Sequence, residues 1–173
     1  MKELSLHVLD IAQNAIQAGA ARLTIRLTLE TRLLTITIED DGCGMSEAFL
    51  KDVCDPFSTT RTTRQVGMGL PLYKLAAEQA GGSFDIQSRQ GEDHGTVVKA
   101  AFDTANIDCP PLGDMAETVV TILQGNPELS LVYEYSDETG AKRLSTDEMR
   151  QILGDVPLNE PEVLIWAREF LCE

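Results

Sequence analysis

Apolar residues recur at Leu4, Val8, Ile11, Ala12 and Ala15 with the spacing of one helix face, which predicts a helix over residues 3–19. Gly19 would end it as a C-terminal cap. Leu6, Leu9 and Ile16 widen the apolar surface, so the helix is expected to be mostly buried. One narrow stripe stays polar: His7, Asp10, Asn14 and Gln17, at intervals of three and four. A buried helix needs a reason for such a stripe. The period then changes to two. Leu23, Ile25, Leu27 and Leu29 alternate with Arg22, Thr24, Arg26 and Thr28, and Leu34, Ile36 and Ile38 alternate with Thr35, Thr37 and Glu39. These are two strands, 22–29 and 33–39, joined so closely that they must run antiparallel. Strict alternation gives one covered face and one wet face. The expected class is therefore α+β: a two-layer α/β sandwich, mostly antiparallel, with helices on one face, not a doubly wound fold.

Ser46 can cap a short helix to Val53. Residues 55–66 carry no periodicity and are rich in Thr and Arg, the expectation for a mobile loop. Leu70 to Ala80 reads as a helix stopped by Gly81-Gly82, and strands near 83–88 and 95–102 complete the sheet. Asn106 to Pro111 looks like a boundary. Beyond it come a helix at 113–124, a strand at 129–135 and helices at 146–153 and 160–171. The expected organisation is one domain over 1–105 and a small α/β C-terminal region over 112–173. That region is small for a core of its own, so it should pack on the first domain or on a partner.

Charge narrows the possible partners. The 173 residues carry a net charge of -14, which repels phosphate backbones and anionic membranes, so neither nucleic acid nor a membrane surface is expected. No apolar run approaches the ~20 residues of a membrane span. No leader pattern opens the chain, and a cytoplasmic location is expected. Cys43, Cys54, Cys109 and Cys172 show no Cys-x-x-Cys spacing, which argues against a zinc or iron–sulfur site.

Four stretches carry possible chemistry. Asp10 and Asn14 share a helix face: a carboxamide oxygen suits Mg²⁺, and a carboxylate one turn away could polarise a water for attack on a phosphate. A helix face bonded to a neighbouring loop is the plain alternative. Asp40-Asp41-Gly42-Cys43-Gly44 ends a strand with a turn that brings backbone close to a ligand, or is simply a tight acidic turn. Gly67-Met68-Gly69 precedes a helix whose first amides and dipole favour an anion, although such an entry can be structural. It is not a Walker motif, and the βαβ context of a dinucleotide site is absent. Arg61 and Arg64 lie just before it and could fold over phosphates, or could be solvated surface residues.

In this order, the pieces resemble the GHKL superfamily: the DNA gyrase, heat-shock chaperone, histidine-kinase and mismatch-repair ATPases with the Bergerat ATP-binding fold. The resemblance covers roughly residues 3–102. Residues 10–20 look like the N box, Asp40, Gly42 and Gly44 like the G1 box, and Gly67-Met68-Gly69-Leu70 like the G2 box. Gly95-Thr96 matches the closing Gly-Thr near the adenine. Asp55-Pro56-Phe57-Ser58-Thr59-Thr60-Arg61 is similar to a stretch of the histidine kinases, with Arg61 in place of a phosphate-contacting lysine. The resemblance implies ATP contacts from Asn14, Asp40, Gly42, Gly44, Met45, Arg61, Gly67, Met68, Gly69, Leu70 and Thr96. It also implies Mg²⁺ on Asn14 and a general-base role for Asp10.

The sequence departs from the family at several points. Asp10 is one methylene shorter than the usual glutamate. Asp41 replaces a common asparagine, adding negative charge near the nucleotide, and Gln17 replaces an Asp of the gyrase and mismatch-repair branches. The segment between Arg61 and Gly67 is short, most like a histidine kinase lid. With the N-box-like helix starting almost at Met1, a phosphoacceptor hairpin before it is not expected. The expectation is a signalling or regulatory Mg-ATP-binding protein that binds ATP or ADP and acts as a kinase on a partner protein, met through the lid loop or the C-terminal region. Alternatives are a slow ATP-hydrolysing switch and a nucleotide-sensing module without chemistry. Oligomeric state is open.

Overall fold

The computed structural model describes residues 2–53 and 69–172. The predicted 55–66 loop and Arg61, Arg64, Gly67 and Met68 lie outside them. Helix α1 runs Leu4–Gln17, followed by strands β1 (Arg22–Glu30) and β2 (Leu33–Asp40). Then come α2 (Glu47–Val53), α3 (Gly69–Gln79), β3 (Ser83–Arg89) and β4 (Gly95–Asp103). The chain continues through α4 (Met115–Gly125), β5 (Ser130–Asp137), β6 (Gly140–Ser145), α5 (Thr146–Leu153) and α6 (Pro161–Cys172).

The strands form one six-stranded sheet in the order β3-β4-β2-β1-β5-β6. Every neighbouring pair is antiparallel except β1 with β5. The fold is thus the expected α+β sandwich with a mostly antiparallel sheet. Alternation explains its two faces. Leu23, Ile25 and Leu27 of β1, Ile36 and Ile38 of β2, and Val98, Ala100 and Phe102 of β4 turn to the helices and are buried. Arg22, Arg26, Glu39 and Lys99 turn the other way and stay exposed.

The residues after 112 continue this sheet. Leu131 and Tyr133 of β5, Leu144 of β6 and Val119, Ile122 and Leu123 of α4 belong to the same buried cluster as Leu4, Val8 and Ile36. The chain crosses back to α1 through residues 111 and 112. The Leu4 and Ser5 amides, left without helical partners at the start of α1, donate to the carbonyls of Pro111 and Leu112 at 2.9 and 2.8 Å. The buried Thr118 hydroxyl of α4 donates to the Ser5 carbonyl at 3.1 Å. Strand β6 was not foreseen. Leu144 is its one large apolar residue, and as an edge strand it needs no alternating pattern. Local capping explains the helix starts: the Ser46 hydroxyl accepts from Phe49 N at 3.1 Å, and Asp114 accepts from Glu117 N at 2.9 Å.

Candidate functional site

On the covered face of the sheet the apolar rows give way at one end to a polar row. Asp40, the last residue of β2, pairs across the ladder with Thr96 of β4, and Thr96 pairs with Ser88 of β3. Leu23, opposite Asp40 on β1, is fully buried, so this row faces the helices. A cavity of about 230 Å³ opens above it. Asp40, Thr96 and Val98 bound it from the sheet, Ile11, Asn14 and Ala15 from α1, and Leu70 from α3. Gly44, Met45 and Phe49 close its side. The lining is mainly apolar with few polar groups, the composition of a small-molecule site.

Burial pushes the Asp40 carboxyl above its ordinary value, opposed by a hydrogen bond and reinforced by the charges of Asp41 and Glu39. That hydrogen bond is the Gly42 amide donating to Asp40 Oδ1 at 2.8 Å, which holds the turn against the carboxylate. The Asp41 carboxylate instead accepts from the Ala21 and Arg22 amides at 2.8 and 2.9 Å. It is turned to the start of β1, where it holds the first amides of the strand while its charge still acts on Asp40. His94 Nδ1 lies 2.6 Å from the Gly42 carbonyl. A carbonyl only accepts, so Nδ1 carries the hydrogen, and the ring ties the β3–β4 turn to the G1 turn.

Ser88 was missed by the sequence reading. Its hydroxyl accepts from the Met45 amide at 2.8 Å, lies 2.8 Å from Thr96 Oγ1 and reaches the Gly95 carbonyl at 3.3 Å. It joins three segments of the cavity wall. The signal was available: Phe84, Ile86 and Ser88 alternate inward along β3, so a serine falls where an apolar residue belongs. Gly44 adopts φ +76°, and a side chain there would strike the Arg89 carbonyl.

At the other end of the cavity, α1 meets the start of α3. A β-carbon placed on Gly69 would stand 3.5 Å from Asn14 Nδ2 and 3.7 Å from Asp10 Cβ. The structure therefore brings Asn14, Asp10 and the first turn of α3 together. Asp10 lies just outside the cavity lining, its side chain 41% exposed and ion-paired with Lys2. Asn14 makes no side-chain hydrogen bond among the described residues. No group of three or more His, Cys, Asp or Glu among the described residues could hold a metal. His7 does not extend the polar stripe into the site. It is buried against Tyr73 with ring centres 5.6 Å apart, and its Nδ1 has no partner among the described residues.

The family of histidine kinase-, DNA gyrase B- and HSP90-like ATPases matches residues 2–106. The tetrathionate sensor histidine kinase TtrS of Salmonella typhimurium is 33% identical over 95 residues, 54% of this chain and 16% of that protein. The sensor histidine kinase YcbM of Bacillus subtilis is 36% identical over 90 residues, 48% of this chain and 29% of that protein. The chain thus spans less than a third of the length of either relative. Among solved structures, the N-terminal domain of a DNA repair protein matches with a TM-score of 0.56 at 13% identity, over 84% of this chain and 52% of that one. The MutL ATPase domain of Aquifex aeolicus, complexed with ADP, matches with a TM-score of 0.53 at 15% identity, over 84% of this chain and 63% of that one. Both show the shared fold. Among the described residues no helix is long and apolar enough to cross a membrane.

Proposed function

Because the chain belongs to the family of histidine kinase-, DNA gyrase B- and HSP90-like ATPases, we propose that it binds Mg-ATP between α1, α3 and the Asp40 row and passes the γ-phosphoryl group to a partner protein. The observation that carries this reading is the polarity of the cavity. One end offers a half-buried carboxylate and a hydroxyl in register, and the other places a carboxylate, and a carboxamide with no side-chain hydrogen bond among the described residues, at the start of α3.

At the first end, Asp40 accepts from the exocyclic amine of adenine, and Thr96 supplies a second polar contact beside it. Met45 and Leu70 cover the base with apolar surface. Gly42 and Gly44 let the turn approach closely. At the second end, the α3 amides face the phosphates. The donor set fits Mg²⁺: one hard oxygen from Asn14, completed by phosphate oxygens and waters, because this ion is seldom caged by protein alone. When bound, the ion neutralises charge developing on the phosphates. Asp10, one turn from Asn14, takes the proton of the attacking group. Arg61, Gly67 and Met68 complete the phosphate end in this reading. The 1–105 unit holds the nucleotide, and the lid or the 112–173 region meets the partner. A cytoplasmic location accords with the signalling role.

Water could take the place of the partner's nucleophile. The exposure of Asp10 favours this second reading, a slow ATPase. The test follows the γ-phosphate of labelled Mg-ATP with pure protein, with and without candidate partners, alongside Asn14→Ala and Asp10→Asn. Label on a partner, lost in Asn14→Ala, is the expected result. Free phosphate alone, stopped by both substitutions, establishes the ATPase instead. Failure to bind ATP overturns both.

A further inference from the structure

Asp10 presents a difficulty to a triphosphate. Adenine at Asp40 directs the phosphate tail toward Asn14 and the start of α3, and Asp10 stands there with its carboxylate partly in solvent. ATP and ADP differ by the group that arrives last and carries an additional negative charge. A bare carboxylate at that place disfavours ATP relative to ADP, in a chain already at net charge -14.

The structure answers with Lys2. Its ammonium pairs with Asp10 Oδ2, although the two residues lie eight positions apart and Lys2 precedes α1. The backbone that presents it is held. Glu3 is extended at φ -67° and ψ 150°, and the next two amides are pinned to the Pro111 and Leu112 carbonyls. The amine is therefore delivered to the carboxylate by a braced segment. Lys2 has three donors, and one carboxylate oxygen takes only part of that capacity.

We propose that Lys2 is a specificity-determining residue of the nucleotide site: by neutralising Asp10 it allows the terminal phosphate to approach, and so sets the preference for ATP over ADP. This rests on the reading of the cavity as a Mg-ATP site. Lys2 acts through Asp10, so it is a positioning residue and not a catalytic one. The pair is about two-fifths exposed, so solvent and salt weaken its influence.

The test is calorimetric titration of the full chain with ATP and ADP at saturating Mg²⁺, for wild type, Lys2→Met, Lys2→Arg, and Lys2→Met combined with Asp10→Asn. Lys2→Met should weaken ATP binding about three- to tenfold and leave ADP binding within twofold. Lys2→Arg should retain the wild-type ratio. The double variant should restore ATP binding, because the unpaired carboxylate is gone. In 0.5 M salt, roughly where the screening length falls below 5 Å, the wild-type and Lys2→Met ratios should converge, because the Asp10 charge is then screened from the phosphate as well. A merely structural role for Lys2 would weaken both nucleotides together, and that result overturns the proposal. An unchanged ATP-to-ADP ratio overturns it, as does a double variant as weak as Lys2→Met. A wild-type chain that binds neither nucleotide fails the underlying reading, which is a separate outcome from binding both with no effect of Lys2.

Discussion

Asp40 and Thr96 face one another across the β2–β4 ladder, and Ser88 beside Thr96 fastens that row to the Met45 amide. Three residues from separate strands thus end an otherwise apolar sheet face in a polar row, and the two glycines after Asp40 let the chain turn over it.

Asp40→Asn separates binding from stability. Burial raises the Asp40 carboxyl above its ordinary 3.8, so the folded chain holds this proton more tightly than the unfolded one. The corresponding stability is complete below 3.8 and is lost as pH rises through the raised value. Asparagine is neutral throughout and still accepts from the Gly42 amide. At pH 7 the variant should melt at the wild-type temperature or slightly above it. Nucleotide affinity should fall roughly 10- to 100-fold, the loss of one hydrogen bond to a charged acceptor. Calorimetry and thermal melts check the two halves.

His7 titrates with the opposite sign. Burial, then the nearby Lys2 charge, lowers it below 6.5, against a smaller opposing pull from Asp10. Its contribution is present above 6.5 and is lost as pH falls through 6.5 toward the folded value. Urea unfolding at pH 7.5 and pH 5.5 should show a drop that His7→Phe reduces. An equal drop in both proteins would remove His7 as the cause.

Ser88→Ala leaves the Met45 amide without its acceptor and Thr96 without its neighbour. We expect a cost of about 1–2 kcal/mol in urea unfolding and a several-fold loss of nucleotide affinity.

Gly44→Ala and Gly19→Ala form a matched pair. Both glycines have positive φ, +76° and +82°, but a side chain on Gly19 meets nothing within 4 Å whereas one on Gly44 runs into the Arg89 backbone. Gly19→Ala should cost about 1 kcal/mol, and Gly44→Ala at least about 3 kcal/mol. Equal losses would show that the turn yields easily.

A chain ending at residue 111 should be far less stable than the full chain, because β1 becomes an edge with Leu23, Ile25 and Leu27 less well covered. Urea unfolding and sedimentation would register the loss. A cooperative, soluble fragment of full stability would show instead that residues 1–111 suffice.

What could be read from sequence follows from locality. The helical spacing of α1 and the alternation of β1 and β2 are local patterns, and each element lies within a few residues of its expected bounds. Asp40, Asn14 and Thr96 stand out in the sequence because glycines and polar residues interrupt those patterns, and the structure sets all three around one cavity. Ser88 interrupts one too, but a lone serine draws little notice until Met45, distant in sequence, is seen beside it. Strand β6 carries almost no pattern. The Lys2–Asp10 pair and the turning of Asp41 toward Ala21 depend on loop geometry that side-chain periodicity does not encode. The parallel join of β5 to β1 is a long-range choice with no local signature.

That join also orders events during synthesis. Arg26 and Glu134 meet across it, and 108 residues of chain separate them. A ribosome needs roughly 5–20 seconds to add that length. Through that interval, while the rest of residues 1–105 and the segment up to β5 are still being added, the strand in the middle of the future sheet waits with one side unsatisfied. The nascent protein passes through a stage with a vacant sheet edge and a loosely started first helix, and this is when a chaperone, or an unwanted strand from another chain, would find it.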